Sequence, residues 1–241
     1  MEPMSINYDF FSSSPEEDLG IEVISGQRLS YDRPGLRAAK RLIDLAICIC
    51  ALPIILPVLV LCAIAVKLDD PAGPVLFVKE RVGRGGRLFK MYKFRSMAHT
   101  ASDDKSHQQF MQAFVNGQIG QQTTGEVFKP KAQVTRVGRF LRKTSLDELP
   151  QLINVLKGEM SIVGPRPNLP WEVEAYKLWH HGRLEVLPGI TGLAQVHGRS
   201  SIPFEQIVKY DIDYVENMSL ALDFKIMLMT AKVVLKGFGA R

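Results

Sequence analysis

The sequence predicts a mainly helical α/β chain. It joins a re-entrant, proline-broken membrane helix to a cytosol-facing domain with a small β-hairpin and interfacial amphipathic helices. Three observations predict it. Leu45–Val66 carries no charged side chain, yet holds Pro53 and Pro57 near its middle. Residues 71–98 read as two short strands around a glycine turn, and beyond Val137 apolar residues recur at helical spacing.

Residues 1–32 lack a basic start and an apolar core, so they are no secretory signal; their polar composition predicts a disordered segment. Residues 33–70 form the basic flank and the membrane helix. A straight helix over Leu45–Val66, rising about 1.5 Å per residue, could cross a bilayer, so a simple transmembrane anchor is the plainer alternative. Each proline, however, removes an amide donor and strands the carbonyls of Ile49 and Pro53, which lipid cannot satisfy. Basic residues also flank both ends, Arg37, Lys40 and Arg41 before and Lys67 after, so the positive-inside bias selects neither. A broken helix that enters and leaves on the cytoplasmic face fits both facts. Cys48, Cys50 and Cys62 all lie in this apolar run, with no zinc spacing and no disulfide framework, as expected of a reduced protein facing the cytoplasm.

Residues 71–241 form the third unit. The 241-residue chain is 46% hydrophobic and 23% charged, which suits a folded domain, and its net charge of +5 is too small to imply nucleic acid. Val75–Val78 is an apolar strand, Gly83-Arg84-Gly85-Gly86 a turn, and Leu88–Phe94 the return strand. Residues 99–134 are polar, with one short helix expected around 108–115. Helical periodicity covers 137–156 and 171–186, separated by a Gly/Pro loop at 164–170. A glycine-rich loop at 188–200 precedes helices near 204–216 and 220–235. In the last helix Lys225, Lys232 and Lys236 share one face, and Leu222, Ile226, Met229 and Val233 another, as in a helix lying at a membrane interface. An ordinary surface helix would show the same pattern.

Several residues could carry chemistry. Lys79, Arg81, Arg84, Arg87, Lys90, Lys93 and Arg95 make a basic run opposed only by Glu80. It could rest on anionic lipid or line a phosphate pocket; interleaved aromatics also occur in single-strand nucleic-acid sites, but the adjacent membrane segment argues against nucleic acid. Ser145 and Glu148 have capping-box spacing ahead of a leucine stripe, which alone would explain Glu148. The same helix start is an anion site that would keep Asp147 ionised. Neighbouring positions on a helix point about 100° apart, so the two carboxylates suit different tasks, one attacking phosphorus and one holding a metal. Gly164-Pro165-Arg166-Pro167 presents a stiffly held guanidinium suited to phosphate. His180, His181 and His197 have no partner by spacing and read as surface or structural residues.

In this order the motifs resemble the bacterial sugar transferase family, the monotopic phosphoglycosyl transferases that start exopolysaccharide, O-antigen and glycan assembly. The resemblance runs from about Lys40 to Phe238. It rests on Lys40–Asp44, Tyr92–Met97, Ser145–Gln151, Asn154–Ser161, Val163–Pro167 and Pro188–Gly192. It implies a re-entrant helix in the bacterial inner membrane and a catalytic domain facing the cytoplasm. It further implies that Asp147 attacks the β-phosphate of a UDP-sugar, releasing UMP, and that the phosphosugar then passes to polyprenyl phosphate. Glu148 would hold Mg²⁺, and Lys93, Arg95, Arg142, Arg166, Arg199 and Asp211 would serve the substrate site. The implied partners are the UDP-sugar, polyprenyl phosphate and membrane lipid, with a homodimer left open. The family commonly has serine before the breaking proline; here Leu56 precedes Pro57, and Pro53 is additional. Two rival readings are a membrane-tethered basic scaffold, in which the carboxylates only cap a helix, and a single-span enzyme.

Overall fold

A computed structural model describes residues 34–98, 134–198 and 202–235. The expectations for residues 1–32, for a helix at 108–115, and for Arg199 and Lys236 lie outside the described residues.

Helix α1, Pro34–Asp69, starts with proline at its first position, where a missing amide costs nothing. It runs on with Pro53 and Pro57 inside it. By length and composition it is apolar enough to cross a membrane. Its buried residues lie toward its two ends, and between them Val58 and Leu59 are only partly covered. Lys40, Asp44 and Cys48 are buried near the start and Cys62 and Val66 near the end, whereas no residue from 49 to 61 is buried. Ile54 and Leu61 are 74% and 67% exposed, an apolar surface that water would penalise.

Polar contacts fix both ends. Lys40 Nζ donates to Asp223 Oδ2 at 2.6 Å, Arg41 Nη2 to the Leu156 carbonyl at 2.9 Å, and the Ile162 amide to Asp44 Oδ1 at 3.1 Å. At the other end Asp69 Oδ2 accepts from the Val137 amide at 2.9 Å.

Strands β1, Leu76–Val82, and β2, Leu88–Phe94, form the expected antiparallel hairpin, with Leu76 opposite Phe94 and Val82 opposite Leu88. The turn between them needs Gly85, at φ 63, where other residues are strained. Phe89 and Met91 from β2 pack with Cys48, and Phe94 with Cys62 and Val66, so each end of α1 belongs to a core of the domain.

Between 137 and 156 the single expected helix is three pieces. Helix α2, Arg136–Thr144, ends at Ser145, which is left-handed at φ 58; a 3-10 helix, Leu146–Gln151, leads into α3, Leu152–Lys157. A second sheet was not anticipated: β3, Ser161–Val163, pairs in parallel with β4, Gly189–Thr191. Each has three residues, too few to show a period; β4 sits in the stretch read as a glycine-rich loop, and β3 lies just ahead of the Gly/Pro loop at 164–170.

The expected helix over 171–186 splits into α4, Pro170–Glu174, and a 3-10 helix, Leu178–Leu184. His180 explains the restart, because its Nδ1 accepts from the Lys177 amide at 3.2 Å. Helix α5, Leu193–His197, interrupts the glycine-rich stretch, and α6, Phe204–Glu216, and α7, Leu220–Leu235, match their expected bounds. On α7 the Leu222/Ile226 stripe faces inward, with Ile226 fully buried in a core beside Tyr214 and Val215. Large apolar residues exposed on α7 include Phe224 and Leu228 instead.

His180 is buried to 0% exposure and lies edge-on to Tyr176, Trp179 and Phe204. Burial first, then the Lys177 and Arg183 charges, push its pKa down to about 4. The fold holds it neutral while the unfolded chain protonates near 6.5, so stability is full above that pH and falls as pH drops toward 4. The loss amounts to about 3 kcal/mol. A denaturant series between pH 7 and 4 should show this decline, and His180→Gln should flatten it.

Candidate functional site

Four side chains meet where β2, the 3-10 helix after Ser145 and the loop after β3 come together. The left-handed turn at Ser145 lets the chain change direction, and the next two residues, Leu146 and Asp147, start a tight turn facing β2. Ser145 makes no side-chain cap, so the capping-box expectation fails. Its carbonyl accepts from the Glu148 amide at 3.2 Å, while the Glu148 carboxylate turns to cations. Lys93 Nζ stands 3.0 Å from Glu148 Oε1 and 3.6 Å from Asp147 Oδ2, so one ammonium serves both carboxylates. Arg166 Nη1 lies 3.7 Å from the same Glu148 oxygen, with its side chain 53% exposed.

Asp147 is 8% exposed. Burial pushes its pKa up from the ordinary carboxylate value, and Glu148 adds to the rise; Lys93 and Arg142 oppose it. The sequence expectation of a carboxylate stabilised by a helix N-terminus is thereby corrected. Desolvation is the largest influence on this group, and the counter-charges that limit the shift are side chains.

The loop carrying Arg166 is held from beneath. Gly164 and Gly189 touch backbone to backbone, and a Cβ on Gly189 would fall 2.1 Å from the Gly164 nitrogen. The Gly189 amide donates to the Pro165 carbonyl at 2.8 Å. Any larger residue at either position would push Pro165-Arg166-Pro167 off the cleft, whose walls include Met91, Lys93, Glu148, Gln151, Arg166 and Pro167. Behind the loop, Arg183 pairs with Asp211 and donates to Tyr176 Oη at 3.0 Å and to the Arg166 carbonyl at 3.3 Å. Among the described residues no group of three or more His, Cys, Asp and Glu could hold a metal; Glu148 lines the cleft, and Asp147 shares its Lys93 contact.

Residues 36–237 match the model of the bacterial sugar transferase family. The chain belongs to that family. Among relatives of this sugar transferase, the galactosyl transferase CpsE of Streptococcus agalactiae serotype III (strain NEM316) is 44% identical over 206 residues, covering 84% of this chain and 43% of the relative. The undecaprenyl-phosphate galactose phosphotransferase of Salmonella typhimurium is 43% identical over 206 residues, 85% of this chain and 42% of its own. The UDP-glucose:undecaprenyl-phosphate glucose-1-phosphate transferase of Xanthomonas campestris pv. campestris is 40% identical over 242 residues, 97% of this chain and 46% of its own. The chain thus spans less than half the length of the curated relatives it matches.

The fold brings together Lys93, Asp147, Glu148 and Arg166, with Arg142 close enough to influence Asp147. Two other sequence candidates are placed elsewhere. Arg95 is 6% exposed and binds the end of α1, donating to the Asp70 carbonyl at 2.5 Å. Asp211 is 1% exposed and sits behind the Arg166 loop as the partner of Arg183, not on the cleft wall. Sequence reasoning missed Arg183 and Tyr176, which no local spacing marks.

Proposed function

We propose that this transferase moves a sugar 1-phosphate from a UDP-sugar to polyprenyl phosphate through a covalent aspartyl intermediate, releasing UMP. The observation that carries the proposal is the single lysine, Lys93, placed against both Asp147 and Glu148 beside Arg166. Asp147 is the nucleophile. Its carboxylate oxygen bonds to the β-phosphorus, the bond from that phosphorus to the bridging oxygen breaks, and UMP leaves with the oxygen. A phosphate oxygen of polyprenyl phosphate then attacks the same phosphorus and displaces Asp147, giving a polyprenyl diphosphosugar. Burial makes the carboxylate more basic, hence a better nucleophile, and Lys93 opposes that rise by favouring the ionised form. Lys93, Arg142 and Arg166 supply positive charge where the phosphates gather.

The functions named for its relatives support the substrate class. They name galactose, glucose and N-acetylgalactosamine phosphates delivered to undecaprenyl phosphate, so the donor is a UDP-hexose or its acetamido form. The scaffold reading is disfavoured by Ser145, which makes no cap for Glu148 to complete. Mg²⁺ fits the donor set, because it is commonly held by one or two carboxylates and otherwise by phosphates and water. Glu148, next to Asp147, would hold it, and bound there it would offset phosphate charge.

We also place α1 as a re-entrant hairpin, with the domain and both helix ends on the cytoplasmic side of the inner membrane and Phe224 and Leu228 of α7 at the interface. The burial of α1 at both ends but not between supports this. Pro53 and Pro57 supply the bend. Cysteines introduced as Gly35→Cys and Ala72→Cys should both resist an impermeant thiol reagent in intact cells and react after permeabilisation; labelling of one alone would mean a full span.

The functional test is nucleotide release. Detergent-solubilised protein with UDP-sugars, polyprenyl phosphate and Mg²⁺ should release UMP. Release of UDP would mean direct glycosyl transfer and would end the proposal.

A further inference from the structure

Arg81 is the penultimate residue of β1, on the strand whose end is stitched to the Arg166 loop. The Val82 amide donates to the Asn168 carbonyl at 2.9 Å, an isolated antiparallel bridge between the two segments. The Arg81 side chain is 15% exposed, and its nearest carboxylate is a poor partner. Nη1 stops 3.8 Å from Glu172 Oε2, beyond hydrogen-bond reach, and that oxygen already accepts from the Leu169 amide at 2.5 Å. Arg81 Nε is buried with no hydrogen-bond partner among the described residues. Burial first, and the charge of Arg166 second, push the guanidinium down to about 10, with Glu172 and Glu148 opposing.

A buried arginine normally has its fork satisfied by a carboxylate or by carbonyls. Here the fork is held off its carboxylate and repelled by a second guanidinium at the wall of the cleft. An anion with charge at two separate groups would relieve both effects, taking the idle Arg81 donors and screening Arg81 from Arg166. We infer that Arg81 and Arg166 form a two-guanidinium clamp for the diphosphate of the nucleotide-sugar, Arg81 reaching in from the hairpin and Arg166 from the Gly/Pro loop. The identity of the donor rests on the function proposed above; the anion site itself does not.

The competing role for Arg81 is to buttress Glu172 and the start of α4. Glu172→Gln separates the two, because an amide oxygen can still accept from Leu169 while the negative charge is gone. The full chain in detergent is titrated calorimetrically with inorganic diphosphate, without metal, and separately with UDP-glucose. Arg81→Gln and Arg166→Gln should each weaken diphosphate binding roughly tenfold or more, the usual effect of losing a charge-assisted contact. Arg81→Lys, which keeps the charge and protects the fold, should lose part of it. Glu172→Gln should bind diphosphate no more weakly than wild type. The clamp is overturned if wild type does not bind diphosphate, if Arg81→Gln and Arg81→Lys both bind like wild type, or if Glu172→Gln weakens binding as much as Arg81→Gln. Clamp and function fail separately. Diphosphate binding lost in Arg81→Gln, with no UDP-sugar turned over by wild type, removes the function and keeps the clamp. Turnover by wild type with unchanged binding in the Arg81 variants does the reverse.

Discussion

Asp147→Asn should abolish UMP release, a loss on the order of 10³-fold or more, while leaving the protein at least as stable as before. The two effects have opposite signs for one reason. Asp147 is a buried carboxylate whose charge is disfavoured by desolvation and by Glu148 beside it. An amide of the same shape removes that charge, so the Lys93 contact it gives up at 3.6 Å is offset by relief of burial and repulsion. The amide cannot attack phosphorus. Thermal melting and nucleotide release measured on one preparation check both halves; a melting point that drops by many degrees would mean that Asp147 is a structural cap instead.

Lys93→Met should cost activity roughly 10²-fold or more and stability as well. Lys93 is the shared counter-charge of Asp147 and Glu148, at 3.6 and 3.0 Å. Without it two carboxylates face each other in a half-buried cleft, with Arg166 and Arg142 left to balance them. Lys93 lowers the Asp147 pKa, so its removal raises that pKa further. A nucleophile that must be ionised then becomes inactive at a higher pH. The acid limb of the pH–rate profile of the residual activity should move upward relative to wild type. An unmoved limb would detach Lys93 from Asp147.

Most of the helical content was legible from the chain because it follows from long, periodic segments. Helices α6 and α7 fall where the apolar spacing puts them, and the β1–β2 hairpin follows from a glycine turn between short strands. The failures share a cause. Ser145 breaks a periodic stretch by a single left-handed residue, which pattern cannot show. The β3–β4 pair has three residues per strand and depends on Gly164 and Gly189 touching across the fold. Amphipathicity reports a face but not its neighbour, so the α7 stripe that suits a membrane interface can equally pack inward, as Leu222 and Ile226 do.

At the site the same division holds. Asp147, Glu148, Lys93 and Arg166 could be named from motif and charge, each in its own segment. The direction of the Asp147 shift could not, since it depends on burial by parts of the chain far apart in sequence. Arg95 carried the right charge in the right run and still ended at Asp70, because β2 places Arg95 beyond its last paired residue, Phe94, and beside the end of α1. Arg81 stands in the same basic run with nothing local to set it apart, and Arg183 lies in no motif; what distinguishes them is the Arg166 loop, which bonds to Val82 through the Asn168 carbonyl and to Arg183 through the Arg166 carbonyl.

The most direct measurement is the intact mass of the protein after incubation with a radiolabelled or isotope-labelled UDP-sugar in the absence of polyprenyl phosphate. A mass increase of one sugar phosphate is expected, located on Asp147 by peptide mapping, absent in Asp147→Asn, and discharged when polyprenyl phosphate is added. Product accumulating at the wild-type rate with no such adduct, under quenching fast enough to capture it, would contradict covalent transfer through Asp147.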